Sequence, residues 1–175
     1  MRSPDVDPAR IILYGHSLGG AVALHLAAAN PHSFMAVIIE NTFLSIPKMA
    51  SYAQPKIAWA TFMVTDIWDN EAQIRKLKEA ARDKTKRAAH ILFITGEHDH
   101  VVPPAQMTEL WRQIQELSPV RPDIKIARMH MDLCKHTCFS VAGYHDHLSR
   151  FYYSISGERT MQALALPKNA PEGML

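Results

Sequence analysis

Arg10-Ile11-Ile12-Leu13-Tyr14 is followed at once by Gly15-His16-Ser17-Leu18-Gly19-Gly20, and then by Ala21 to Ala29, an almost unbroken run of good helix formers closed by Asn30-Pro31. The first segment is a short continuous apolar run, as expected of a strand buried on both faces. The order is therefore strand, glycine-flanked serine, helix. The same alternation recurs downstream. Phe34 to Glu40 reads as a second buried strand and Ala89 to Thr95 as a third, ended by Gly96. Pro103-Pro104 leads into a helix over Ala105 to Leu117, since proline is well tolerated in a first turn. Asp123 to His130 alternates as a fourth strand, and Val141 to Ile155 carries apolar residues near a 3.6-residue period. Strands alternating with helices predict an α/β fold whose parallel sheet has about four strands. Active groups in such sheets gather at the carboxyl ends of the strands.

Composition sets the outer bounds. The 175 residues are 47% hydrophobic and 21% charged, which excludes a disordered tail, and the length suits one domain. Lys+Arg 19 against Asp+Glu 17 leaves a formal charge of +2, so no nucleic-acid partner is expected. The basic run Lys76 to Arg87 is interleaved with Glu79 and Asp83 and reads as a solvated helix face. No apolar run approaches the roughly 20 residues a membrane helix needs. Asn41 to Lys86 separates the second and third strands; Pro47 to Thr65 and Asn70 to Arg82 within it read as helical, forming a cap over residues 41–86. One domain is thus expected over residues 1–160, followed by a loose tail over 161–175.

Gly15-His16-Ser17-Leu18-Gly19 matches G-x-S-x-G, and its strand-to-helix setting is the one that pattern requires. A serine on so tight a turn exposes its hydroxyl, and glycines two positions away let the flanking chain segments approach. The helix that follows points its positive end at the site and favours developing negative charge. Ser17 is therefore the candidate nucleophile, with a capping serine as the bland alternative. A serine hydroxyl needs a base, and the base needs orienting. Gly96-Glu97-His98-Asp99-His100-Val101-Val102-Pro103 places acidic groups after the third strand. Asp99 is the candidate acid, because it lies deeper in the turn and Val-Val-Pro can anchor the loop; Glu97 is the second choice. Of ten histidines, His136 occupies the loop after the fourth strand, where a base can meet Ser17; His130 is the second choice. His98 and His100 flank the acid, and His145 and His147 fall in the last helix as surface residues. Cys134 and Cys138 alternate with His136 too strictly for a tetrahedral zinc clip and are expected as reduced thiols packed near the loop, so no metal or cofactor is expected. Two cysteines cannot form a disulfide framework of the secreted kind, so a reducing compartment is the simplest expectation.

On these motifs the sequence resembles serine α/β-hydrolases. The run Glu40-Asn41-Thr42-Phe43-Leu44-Ser45-Ile46, with Ser17 to Ala21, makes it similar to their bud-emergence-type branch, related to prolyl-oligopeptidase-like peptidases. The resemblance covers roughly residues 4 to 156. It implies an acyl-transfer enzyme with Ser17 as nucleophile, Asp99 as acid, His136 as base and the Leu18 N–H as an oxyanion donor. It also implies that the chain corresponds to the C-terminal half of the fold, with the second oxyanion donor and any membrane-anchoring segment in a longer N-terminal part. Lys135 stands where the family usually has glycine before its histidine, and the spacing to Gly143 is one residue short. The implied substrate is an ester, thioester or peptide, with His16, Trp59 and Phe62 expected to line its pocket. The rival expectation is a catalytically impaired, hydrolase-like binding module.

Overall fold

The computed structural model describes residues 7, 10–53 and 67–156. Within them the order is β1 (Ile12–His16), α1 (Leu18–Ala29), β2 (Ala36–Glu40), α2 (Ile46–Ala53), α3 (Asn70–Ala81), β3 (His90–Gly96), α4 (Pro104–Gln115), β4 (Ile126–Met131) and α5 (Tyr144–Ser156). The four strands form one parallel sheet in the order β1-β2-β3-β4. All the strands point the same way, so the segments that leave β1, β2, β3 and β4 emerge along one rim.

Alternation along the two inner strands divides the core. Val37, Ile39, Ile91 and Phe93 face one side, where Leu24 of α1, Ile74 and Leu77 of α3, and Leu110 of α4 cover them. Ala36, Ile38, Leu92 and Ile94 face the other, where Tyr144 and Phe151 of α5 pack. β2 and β3 are covered on both faces, which is why their sequences are continuous apolar runs rather than alternating ones.

Several boundaries differ from the sequence reading for local reasons. β1 runs on through Gly15 and His16, which pair with Ile39 and Glu40 of β2. β4 starts three residues later than its alternation suggests, because the residues before it form a turn in which the Ile124 N–H bonds to the Arg121 carbonyl. Arg121 is itself buried; its guanidinium bonds to Asp123 and to the Ala81 carbonyl. α5 begins at Tyr144, after Gly143 turns the chain with φ 84°.

Of the cap expected over residues 41–86, the described helices are α2 and α3. α3 belongs to the layer that covers the sheet, with Ile74, Leu77 and Ala81 buried in the main core. Its start is fixed by Asp69, whose side chain accepts the Ala72 N–H at 2.9 Å. α2 buries its apolar side on a separate cluster: Ile46 and Met49 pack with Trp68 on Ala21, Phe43 and Val102. Trp59 and Phe62, expected to line the pocket, and the tail 161–175 lie outside the described residues. Among the described residues, no helix is long and apolar enough to cross a membrane.

Candidate active site

Ser17 sits between the end of β1 and the start of α1 with φ 54° and ψ −122°, a backbone conformation that costs a non-glycine residue on the order of 1–3 kcal/mol. Two bonds to the end of β2 hold it there. The Ser17 N–H donates to the Glu40 carbonyl at 2.9 Å, and the Thr42 hydroxyl donates to the Ser17 carbonyl at 2.7 Å. The turn closes because Gly15 has no side chain: a Cβ there would lie 2.1 Å from the Gly19 carbonyl oxygen. Gly19 plays no matching part, since a Cβ on it would meet nothing within 4 Å. The Ser17 side chain makes no capping hydrogen bond to α1, which removes the helix-cap explanation for a serine at this position.

Asp99 lies at the same rim in the loop after β3. It is buried between exposed His98 and His100. Its Oδ1 accepts the backbone N–H groups of Val101 and Val102 at 2.8 and 2.9 Å. Val102 is buried against Ala21 and Phe43 and so anchors the loop on α1, whereas Val101 is exposed. The other oxygen, Oδ2, lies 2.8 Å from Nδ1 of His136. A carboxylate only accepts, so Nδ1 is the protonated nitrogen of that imidazole and Nε2 is left for other work.

His136 comes from the loop after β4, which is knitted to the acid loop by its backbone. The Glu97 N–H donates to the Met131 carbonyl at 3.1 Å and the His98 N–H to the Cys134 carbonyl at 2.9 Å. Cys134 and Cys138 are joined by a disulfide with Cα atoms 5.1 Å apart, where separate reduced thiols were expected. A tight turn brings residues four apart within the span a disulfide bridges. Both sulfurs are thereby removed from any metal ligand set.

The remaining candidates separate clearly. His16, expected at the mouth of the pocket, uses Nε2 on the His136 carbonyl at 2.5 Å, with ring centroids 4.6 Å apart. It props the base loop and links the turn of Ser17 to it. Glu97 and His130, the second choices for acid and base, form an ion pair with each other. His145 and His147 are exposed on α5.

Two residues at this rim escaped the sequence reading as participants. Glu40 and Asn41 end β2, and both are buried. Glu40 accepts the Tyr14 and Tyr144 hydroxyls at 2.7 Å each and the Cys138 N–H at 2.8 Å. Burial pushes the Tyr14 phenol up to about 12, and burial raises that of Tyr144 as well, so both remain proton donors. Asn41 bonds to both the acid strand and the base loop. The signal was present: a glutamate and an asparagine close a strand that is otherwise wholly apolar, at the end where such sheets keep their chemistry.

A parallel sheet with a strained serine turn at its rim defines an α/β-hydrolase of the serine type. The chain matches the prolyl oligopeptidase family over residues 2–147 and belongs to that family. Among its relatives is Protein bem46 of Schizosaccharomyces pombe, 38% identical over 112 residues, which cover 63% of this chain and 34% of the relative. The alpha/beta hydrolase domain-containing protein WAV2 of Arabidopsis thaliana is 32% identical over 141 residues, covering 73% of this chain and 42% of WAV2. The chain thus spans well under half the length of these relatives. Of solved structures, the acylaminoacyl peptidase of Pyrococcus horikoshii superposes with a TM-score of 0.63 at 17% identity, over 91% of this chain and 26% of that one. Acetyl xylan esterase 1 from a Thermoanaerobacterium species gives 0.57 at 24% identity, over 89% and 48%. These likenesses establish the fold.

Proposed function

We propose that the chain carries the catalytic residues of a serine hydrolase that transfers an acyl group to water through an acyl-enzyme. The observation that carries this reading is the 2.8 Å bond from His136 Nδ1 to buried Asp99, at the same rim as the strained turn of Ser17. Ser17 Oγ attacks the substrate carbonyl carbon while His136 Nε2 takes the hydroxyl proton. The carbonyl oxygen becomes an oxyanion, which the Leu18 N–H at the start of α1 stabilises. Nε2 then gives its proton to the leaving alcohol, thiol or amine, the bond to it breaks, and the acyl group remains on Ser17. Water repeats the sequence: Nε2 takes its proton, the acid is released and Ser17 is restored. Asp99 holds the imidazole on Nδ1 throughout and stabilises the imidazolium.

The substrate class is an ester, thioester or peptide, and the reaction requires no metal or organic cofactor. The test is reaction of the intact chain with a fluorophosphonate probe, with the adduct located by peptide mass spectrometry. Label on Ser17 that disappears in Ser17→Ala is the expected result. A folded chain that takes up no label would overturn the reading and favour the rival one, a hydrolase-like module that binds a partner without catalysis.

A further inference from the structure

The side chain of Asn41 does more than satisfy its own burial. It is 1% exposed and stands in the left-handed region with φ 44°, a conformation asparagine tolerates better than most residues. That backbone places the carboxamide between two loops that never meet in sequence. Oδ1 accepts the Gly96 N–H at 2.8 Å, at the end of the strand that leads to Asp99. Nδ2 donates to the Lys135 carbonyl at 3.1 Å and to the His136 carbonyl at 2.9 Å, with the Cys138 sulfur at 3.5 Å. One amide therefore spans the acid strand and the backbone of the histidine itself.

The surroundings are built for that bridge. A Cβ at Gly96 would lie 2.3 Å from the Lys135 carbonyl oxygen, so only glycine lets the base loop come close enough for Asn41 to reach it. Glu40, the preceding residue, holds the far side of the same loop through the Cys138 N–H. His16 supplies a second donor to the His136 carbonyl. The loop that carries the base is thus gripped at residues 135, 136 and 138, and two of these grips are Asn41's.

We propose that Asn41 is a positioning residue, whose amide clips the His136 backbone to the end of β3 and so keeps the imidazole seated on Asp99. This rests on His136 being the base of the proposed reaction. The clip acts on orientation: without it the loop keeps the disulfide and the Glu40 bond, and the ring loses the register that aims Nδ1 at Oδ2. Orientation of this kind is worth much in rate, because small displacements of a proton-transfer group are costly.

Two variants of the intact chain test it. Asn41→Gly removes the amide while accepting the left-handed backbone. Asn41→Asp keeps shape and the acceptor for Gly96 but turns both donors into a carboxylate oxygen facing two carbonyls. The first readout is the low-field proton resonance of His136 Nδ1–H, assigned by its loss in Asp99→Asn. The second is the rate of fluorophosphonate labelling at Ser17, together with kcat and KM on a small activated ester. Both variants are expected to lose or broaden the resonance, and to label at least tenfold more slowly, with kcat falling and KM little changed. Both should still melt cooperatively; if Asn41→Gly does not, Asn41→Asp decides. A sharp, unshifted resonance and labelling within twofold of the parent would overturn the proposal. The resonance reports the clip even if Ser17 proves inert, so failure of the hydrolase reading, seen as no labelling of the parent, is distinguished from failure of this one.

Discussion

The rim of the sheet holds two carboxylate–imidazole pairs, each joining the loop after β3 to β4 or the loop that follows it. Glu97 and Asp99 leave β3 two residues apart; His130 lies in β4 and His136 in the loop that follows. Glu97 pairs with His130, and Asp99 with His136. Their environments differ. The Glu97 and His130 side chains are 47% and 41% exposed, whereas that of Asp99 is 0% exposed and that of His136 24%. Asp99 has its second oxygen held by two backbone N–H groups, and His136 has its carbonyl held by Asn41 and His16. An exposed ion pair in water is worth about 0–1 kcal/mol. A buried carboxylate with both oxygens engaged can hold an imidazole in a single tautomer. Fixing by the surroundings distinguishes the pair proposed for catalysis from one that is only adjacent.

The sharpest way to break this comparison is to change the two acids separately. Asp99→Asn is expected to slow labelling of Ser17 on the order of 10³–10⁴-fold, as loss of the orienting carboxylate does in a serine triad. Glu97→Gln should change it less than about twofold and leave stability within about 1 kcal/mol. Probe kinetics over minutes to days measure both. A large effect at Glu97, with none at Asp99, would transfer the assignment to the exposed pair.

Asp99 and His136 could be chosen from the sequence because each follows a recognisable strand, and loops after strands carry the chemistry in a parallel sheet. The strands were legible since β2 and β3 are buried on both faces and leave continuous apolar runs. The boundaries of β4 and α5 were not, because they depend on Arg121, which reaches back to the Ala81 carbonyl, and on the left-handed turn at Gly143. The assignment of α3 to a cap failed for a related reason. Its amphipathic pattern states that one face is buried, but not whether a lid or the sheet buries it. The disulfide and the Asn41 bridge were hidden more deeply. Both join groups whose approach depends on the turn after β4 or on a glycine at 96, and neither leaves a periodicity to read.

The disulfide offers a smaller test of the same comparison, since His136 lies between its cysteines and His130 does not. Closing a loop of about five residues is worth about 2 kcal/mol in the chain-entropy account. The double variant Cys134→Ser, Cys138→Ser should lose roughly that much stability in denaturant titration. The labelling rate should fall with it, because the loop that orients His136 is loosened. The Glu97–His130 pair lies outside the loop and should be unaffected, which the His130 ring resonances would show. Unchanged stability and labelling in the double variant would mean that the hydrogen bonds from Glu40 and Asn41 hold the loop unaided.

The smallest expected effect concerns a third imidazole, distant from both pairs at the opposite end of β3. Burial lowers the pKa of His90, the Arg87 and Lys125 charges lower it further, and Asp123 opposes them. Its Nδ1 also accepts the Lys125 N–H at 2.9 Å, a bond that protonation would break. The unfolded chain therefore binds a proton here more readily than the folded one. Stability is full above the unfolded value of about 6.5 and falls as the pH drops from there toward the lowered folded value. His90→Asn supplies an acceptor near the position of Nδ1 without the titrating ring. Thermal midpoints measured at pH 7.5 and 5.5 should fall less in this variant than in the parent. Equal falls in the two chains would mean that the acid sensitivity of the fold comes from other groups, and that the buried ring at the far end of β3 contributes none of it.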